Sequence, residues 1–115
     1  MLRSSPADML RYLRALLEPD STPIAGALRA VSRPRVATEG RQSTCLIWNH
    51  RRFRFGDLIF HSGGTAGFSA FAGFCPAAYT AVLMLTNAAS TELSTAVQAP
   101  YNLLKALAKE ILATA

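Results

Sequence analysis

The sequence predicts an α+β fold, with helices near both ends packed on an antiparallel sheet of about three to five strands. Apolar residues recur at helical spacing in residues 9–17, and a longer apolar stripe with the same spacing covers residues 93–112. Between them, residues 43–87 contain short apolar runs separated by turn-forming residues. The length of 115 residues suits one small domain and is too short for two.

The first helix is predicted to begin after Ser5. Ser5 suits the N-cap, Pro6 suits the first helical position, and Asp8 favours the positive end of the helix. The apolar face of this helix consists of Met9, Leu10, Leu13, Leu16 and Leu17. The segment Glu18-Pro19-Asp20 is expected to end it.

A second, shorter helix is predicted from Thr22-Pro23 to about Val31. The segment Ser32-Arg33-Pro34 then breaks the helical pattern. The polar stretch from Arg35 to Gln42 is expected to be a loop.

From residue 43 onwards the pattern changes to that of strands. Strands are expected at Thr44 to Trp48, Arg52 to Phe55, Leu58 to His61, Phe68 to Phe74 and Tyr79 to Leu85. The connections between them are expected to be turns or bends at Asn49-His50, Gly56-Asp57, Gly63-Gly64-Thr65-Ala66-Gly67 and Pro76.

The final helix is predicted to begin at a cap formed by Ser90 or Thr91. Its apolar stripe consists of Leu93, Val97, Tyr101, Leu104, Ala108, Ile111 and Leu112. Pro100 is expected to kink this helix or to divide it in two, because proline cannot donate the helical hydrogen bond.

The positive charge is concentrated in the N-terminal half. The formal net charge is +5, and all ten arginines lie at or before Arg54. Only the segment Arg51 to Phe55 is dense in arginine, and its alternation with phenylalanine is typical of a half-buried strand. We therefore expect no nucleic-acid partner, because no recognition module surrounds this cluster.

Charged residues near the N-terminus interrupt any apolar signal sequence, so none is predicted. The uncharged stretch from Phe68 to Thr86 contains Gly73 and Pro76, which favour two buried strands over one membrane-spanning helix. Cys45 and Cys75 lack the spacing of a metal site and are expected to be small buried side chains. No metal and no cofactor is predicted, and the compartment is left open.

The segment His61 to Ser69 carries the clearest chemical signal. A His-Ser-Gly-Gly sequence follows an apolar strand and leads into a corner of small residues. This segment resembles the third active-site motif of serine β-lactamases, penicillin-binding proteins and their esterase and peptidase relatives.

Other segments resemble the same family in the same order along the chain. They are Pro6 to Leu13, which is similar to the helix that precedes the last strands, Cys45 to His50, which is similar to a Gly-Leu-Gly-Trp strand, and Tyr79 to Asn87, which is similar to the last strand. Cys45 and Ile47 depart from the family pattern because they replace both glycines of that strand.

The resemblance implies acyl transfer to a serine, with an ester, amide or β-lactam as the substrate. It places a catalytic role on His61, Ser62 and Gly64, and a substrate-binding role on Gly63 and Thr65. The backbone N–H of Gly64 would stabilise the oxyanion. Ser62 would offer its hydroxyl to the substrate, and His61 stands where many relatives have lysine.

Two other motifs of that family are absent from this sequence. Lys105 and Lys109 are preceded at three residues by Asn102 and Ala106, so no Ser-x-x-Lys occurs, and no Tyr-x-Asn occurs either. The resemblance therefore implies that residues 1–115 are a single partial domain, the C-terminal segment of such a hydrolase without its nucleophile. Its partner would be the N-terminal part of the hydrolase or a second copy of the chain.

Whether the chain alone is an enzyme stays open at this point. Ser43, His50 and Asp57 have the residue types of a nucleophile, base and orienting acid, but their spacing does not bring them together. One alternative is a non-catalytic binding or regulatory module that pairs with another chain. A further alternative is a small basic domain that binds nucleic acid.

Overall fold

The computed structural model describes residues 3–65, 67–87 and 93–114. The α-helices are α1 (Pro6–Leu17), α2 (Ala25–Ser32) and α3 (Leu93–Thr114), with a short 3-10 helix at Pro19–Ser21. The strands are β1 (Val36–Glu39), β2 (Gln42–Thr44), β3 (Asn49–Phe53), β4 (Gly56–Thr65), β5 (Phe68–Cys75) and β6 (Thr80–Thr86). The predicted α+β class is confirmed, with six strands rather than three to five.

The sheet is an antiparallel meander in which the spatial order of the strands, β1 to β6, equals their order in the sequence. Helices α1 and α2 cover one face, and α3 covers the other. We call these the α1 face and the α3 face. Successive side chains of a strand alternate between them, so each strand contributes to two separate cores.

Each face of the sheet has its own apolar core. The buried residues on the α1 face are Leu13, Leu16, Leu28, Cys45, Trp48, Ile59 and Phe74. The buried residues on the α3 face are Leu58, Phe71, Cys75, Ala78, Tyr101, Leu104 and Ala108. Both thiols are buried and free, as predicted, and burial raises the pKa of each.

Helix α1 begins as the sequence predicts. The Ser5 hydroxyl accepts a hydrogen bond from the Asp8 backbone N–H at 3.1 Å, which satisfies one of the free donors of the first turn. The second helix begins later than predicted. The Ser21 and Thr22 hydroxyls donate to the carbonyls of Glu18 and Pro19, and this closes the 3-10 turn before α2 starts.

The predicted loop from Arg35 to Gln42 is wrong, because most of it forms the β1–β2 hairpin. Its two-residue turn contains Gly40, whose φ of +54° lies in the left-handed region that favours glycine. Every residue of β1 is exposed. A strand without a buried face has no apolar alternation, which explains why the pattern did not indicate one.

The predicted strand from Thr44 to Trp48 and the predicted turn at Asn49-His50 are also wrong. Strand β2 ends at Thr44, and the Cys45 N–H donates to the Trp48 carbonyl over 2.8 Å to close a tight connection. The exposed residues Leu46 and Ile47 lie at its tip. Asn49 and His50 instead begin β3, with His50 paired to Ile59 of β4.

Strands β4, β5 and β6 confirm the predicted apolar runs and their order. The turn before β4 lies at Arg54-Phe55 rather than at Gly56-Asp57, because Phe53 pairs with Gly56. The predicted bend that begins at Gly63 is wrong in its start. Strand β4 continues to Thr65, and the left-handed residue of the turn is Gly67, with a φ of +87°.

Helix α3 runs without interruption through Pro100, so proline does not divide it. The predicted cap at Ser90 or Thr91, and the side chains of Leu93 and Val97, lie outside the described residues. Within the described part of the chain, no helix is long and apolar enough to cross a membrane.

Candidate functional site

Strand β4 has two halves with different neighbours. From Gly56 to Phe60 it pairs with β3 on one edge and, from Ile59 onwards, with β5 on the other. The last pair with β3 joins Asn49 and Phe60, whereas pairing with β5 continues to Thr65 and Phe68. Among the described residues, His61 to Thr65 therefore have no strand on the β3 side. We call this stretch the open edge.

Alternation along β4 separates the predicted site residues. Leu58 and Phe60 pack into the core of the α3 face, so Ser62 and Gly64 belong to that face. Ile59 packs into the core of the α1 face, which places His61 and Gly63 on that side. His61 is exposed, and Ser62 is half-buried on the opposite face.

A cavity of about 390 Å³ lies on the α1 face beside the open edge. We call it the α1 pocket. Its walls come from the start of α1, the β2–β3 connection and the last three strands, chiefly their α1 face. The lining residues are Ser4, Met9, Tyr12, Ile47, Trp48, His61, Gly63, Ala70, Phe71, Ala72, Leu83 and Leu85. His61 is the one imidazole among them.

Trp48 forms part of the wall of this pocket and is held firmly. Its ring meets Phe74 edge-on at a centroid distance of 5.5 Å and Tyr12 at 6.3 Å. The side chain is 4% exposed, yet its indole Nε1 has no hydrogen-bond partner in the described part of the chain. A buried donor without a partner costs about 1–3 kcal/mol.

The glycines of β4 differ from the glycine of β5 in what surrounds them. A Cβ atom on Gly63 would meet nothing within 4 Å, and one on Gly64 would lie 3.4 Å from the Phe68 carbonyl oxygen. Neither residue has a positive φ. A Cβ on Gly73 would lie 2.9 Å from Leu104, so packing requires glycine there. Packing and backbone conformation thus do not account for the two glycines at the open edge.

The structure brings the predicted residues together only in part. His61 and Gly63 both line the α1 pocket. Ser62 is directed to the other face, and Thr65 is exposed at the end of the strand. Gly64 pairs with Ser69, which is buried on the α3 face. The backbone of all five residues follows the open edge, which is the feature that they share.

Sequence spacing did not indicate the contact that forms between His50 and Asp57. The His50 Nε2 donates to the Asp57 carboxylate at 2.9 Å, and Ser43 is the cross-strand partner of His50. The second ring nitrogen, Nδ1, is buried without a partner, so Ser43 is not hydrogen-bonded to it. The three residues are therefore neighbours without the serine–histidine bond of a catalytic triad.

His50 and Asp57 also line a second cavity, of about 320 Å³, between the end of α2 and the β5–β6 turn. Only the strand register could reveal this pair, because seven positions separate the two residues in the sequence. Within residues 3–65, 67–87 and 93–114, no group of three or more His, Cys, Asp or Glu side chains could hold a metal ion.

The architecture is similar to that of a solved class C β-lactamase, a mutant with tyrosine replaced by phenylalanine. The TM-score is 0.67 at 17% sequence identity, and the match covers 97% of this chain but 36% of the β-lactamase. The chain thus has a β-lactamase-like fold and spans about a third of that protein. No protein-family model and no curated protein matches the sequence.

Proposed function

We propose that this chain supplies the strand-edge half of a serine hydrolase site related to that of β-lactamases. The observation that carries the proposal is the open edge, where β4 continues past β3 beside the α1 pocket. A substrate carbonyl lying along this edge can meet the backbone N–H of Gly64. His61 and Gly63 then border the pocket side of the substrate.

The two glycines support this assignment. Glycine inside a strand is less favourable than alanine by about 0.5–1 kcal/mol. Gly63 and Gly64 have room for a Cβ atom, so neither packing nor φ explains their presence. Close approach of a ligand to the backbone does explain it, because a side chain at either position would lie next to the open edge.

The nucleophile is proposed to come from another polypeptide segment that carries a Ser-x-x-Lys sequence, which this chain lacks. The serine oxygen forms a bond to the carbonyl carbon while charge develops on the carbonyl oxygen. The bond to the leaving group then breaks, and the leaving group takes up the serine proton. Water subsequently hydrolyses the acyl-serine. The Gly64 N–H lowers the barrier because it is already oriented towards the developing charge.

His61 is proposed to act at the border of the pocket as a hydrogen-bonding group. Its imidazole can donate or accept a hydrogen bond, whereas the lysine found in many relatives can only donate. The His61→Lys variant should therefore change the rate of hydrolysis by the complete site.

The test combines this chain with a helical segment that carries Ser-x-x-Lys, such as the product of a neighbouring upstream reading frame. Neither polypeptide alone should hydrolyse a chromogenic ester, and the mixture should. Gly64→Pro removes the N–H and should lower the rate of the mixture by about 10²–10³-fold. Gly64→Ala keeps the N–H, so its rate should exceed that of Gly64→Pro even though its methyl group borders the substrate. Equal rates for the two variants would contradict the proposed role of Gly64.

A second candidate function is a non-catalytic module that pairs with another chain. Strand β6 is at the end of the sheet, and the exposed residues Leu85 and Ile47 lie at the same α1 pocket. Such a surface favours a protein partner. If the added segment forms a stable complex but the mixture hydrolyses no ester, this second function is the better description.

A further inference from the structure

We infer that the α1 pocket selects an uncharged ester or amide with an apolar acyl part, rather than a substrate with a carboxylate beside the reacting group. The inference rests on the proposed function and names its substrate class. Three observations carry it: the size of the pocket, the near absence of charge in its lining, and the unpartnered indole N–H of Trp48.

The volume of the pocket suits a small ligand. At about 390 Å³ it lies within the range of about 300–1,000 Å³ that is usual for small-molecule sites. An acyl chain of about six carbons with its carbonyl group fits this space. The open edge lies at the border of the same pocket, so the carbonyl can stay near the backbone while the chain extends towards α1.

The side chains that line the pocket determine whether it favours a charged or an uncharged ligand. No Asp, Glu, Lys or Arg side chain contributes to it, and His61 is exposed. Transfer of an ionised carboxylate into such surroundings without a paired cation is strongly unfavourable. An uncharged carbonyl does not carry that cost. The hydroxyl of Ser62 is directed to the opposite face of the sheet, and the hydroxyl-bearing residues of the lining are Ser4 and Tyr12.

The indole of Trp48 determines which hydrogen-bonding group of a ligand the pocket favours. Tryptophan can donate through Nε1 but cannot accept. Its Nε1 is buried without a partner in the described part of the chain, and Trp48 lines the pocket. A ligand oxygen that accepts this hydrogen bond removes the cost of the unpaired donor. Nε1 itself is buried, so the wall of the pocket must shift before a ligand oxygen can reach it.

The experiment uses the full chain and a matched pair of probes, hexanamide and hexanoate. They have the same shape and differ in charge. Trp48 is the only tryptophan in the chain, so its fluorescence and its single indole N–H resonance report on this pocket alone. Hexanamide should cause a saturable change in both signals, and hexanoate should bind at least tenfold more weakly.

Two variants fill the pocket and should weaken hexanamide binding by at least tenfold. Gly63→Leu introduces a side chain into empty space, and Ala70→Leu does so from β5 if the first variant fails to fold. Leu103→Ala on α3 is the control, because it removes an exposed apolar side chain from the other side of the sheet. Binding by this control should equal that of the wild type.

Three results would overturn the inference: no saturable change below about 10 mM hexanamide, equal affinity for hexanoate, or unchanged binding by the filled variants. A Ser-x-x-Lys segment that displaces hexanamide would also overturn it, since the pocket would then be a protein interface. The proposed function is tested separately. If hydrolysis is restored without hexanamide binding, only the pocket assignment fails, and if hexanamide binds without restored hydrolysis, only the proposed function fails.

Discussion

His50 on β3 donates its Nε2 hydrogen to the carboxylate of Asp57 on β4 across 2.9 Å. The histidine is 2% exposed, whereas the side chain of Asp57 is 45% exposed. Asp57 is the acceptor for one ring nitrogen, and the other ring nitrogen is buried without a partner among the described residues. The pair thus connects two strands and leaves one polar atom of the core unsatisfied.

Loss of the acceptor should be costly. Asp57→Ala leaves the buried Nε2–H of His50 without a partner, and we expect the free energy of unfolding to fall by about 1–3 kcal/mol. Asp20→Ala is the control, because Asp20 pairs with Arg29 at the surface, where ion pairs contribute about 0–1 kcal/mol. Urea unfolding monitored by circular dichroism measures both. Equal losses would mean that the His50 contact is not a structural bond.

Two glycines of adjacent strands should respond in opposite directions to alanine. Gly63 has empty space at its Cβ position and an ordinary φ, so Gly63→Ala should stabilise the chain by about 0.5–1 kcal/mol. Gly73→Ala places a methyl group 2.9 Å from Leu104 and should destabilise it by about 1–3 kcal/mol. Thermal unfolding of the two variants provides the comparison. A destabilised Gly63→Ala variant would contradict the view that glycine is kept there for a ligand.

Tyr79 links the β5–β6 turn to the end of α1 and should make stability depend on pH. A hydrogen bond from Tyr79 lowers the pKa of Glu18, and Arg14 lowers it further. A depressed carboxyl pKa adds stability above the unfolded value of about 4.3, and this stability is lost as pH falls through the folded pKa. Tyr79→Phe should therefore be less stable than the wild type at pH 7, and the difference should shrink near pH 3.

The same pH comparison can be made for Arg14, the other partner of Glu18. Arg14→Gln removes the other partner of Glu18 but keeps the tyrosine bond, so it too should lower stability at pH 7, with a smaller loss near pH 3. Melting temperatures of the variants and the wild type, measured at pH 3 and pH 7, provide the comparison. A Tyr79→Phe difference that is the same at pH 3 and pH 7 would show that Glu18 does not carry it.

The middle of the fold was predictable from the sequence because its strands obey simple alternation. Strands β4 to β6 have buried or half-buried apolar side chains on both faces, and their order follows from short connections. The first strand was not predictable, since all of its residues are exposed. Leu46 and Ile47 caused the opposite error. They are apolar and were therefore assigned to a strand, but they lie at the tip of an exposed connection.

The candidate site was predictable only as a segment of the chain. The motif identified His61 to Thr65. The open edge, however, exists because β3 begins only at Asn49, directly after the short β2–β3 connection closed between Cys45 and Trp48. The α1 pocket depends on how α1 lies across the sheet. Both are long-range relationships that local spacing does not contain.

The isolated chain should not react with a serine-directed phosphonate probe at the serines of the motif. Ser62 lies on the α3 face, away from His61, and Ser69 is 6% exposed. A serine nucleophile needs a base in reach, and Ser62 faces away from His61. Intact-protein mass spectrometry should find no stoichiometric adduct. A stoichiometric adduct on Ser62 or Ser69 would mean that the chain contains its own nucleophile, contrary to the proposed function.

Strand β6 should cause the isolated chain to self-associate. It is at the end of the sheet, and among the described residues only β5 pairs with it as a strand, so another chain can add a strand on its opposite side. Leu85, on this strand, is 46% exposed.

Leu85→Lys should reduce association, because charge on an edge strand opposes pairing. Leu103→Lys, at a similarly exposed position on α3, is the control and should not. Sedimentation velocity over a range of concentrations measures both, and a Ser-x-x-Lys segment that covers the same edge should yield a single complex. A compact monomer at all concentrations, indifferent to that segment, would mean that residues 1–115 form a self-sufficient domain.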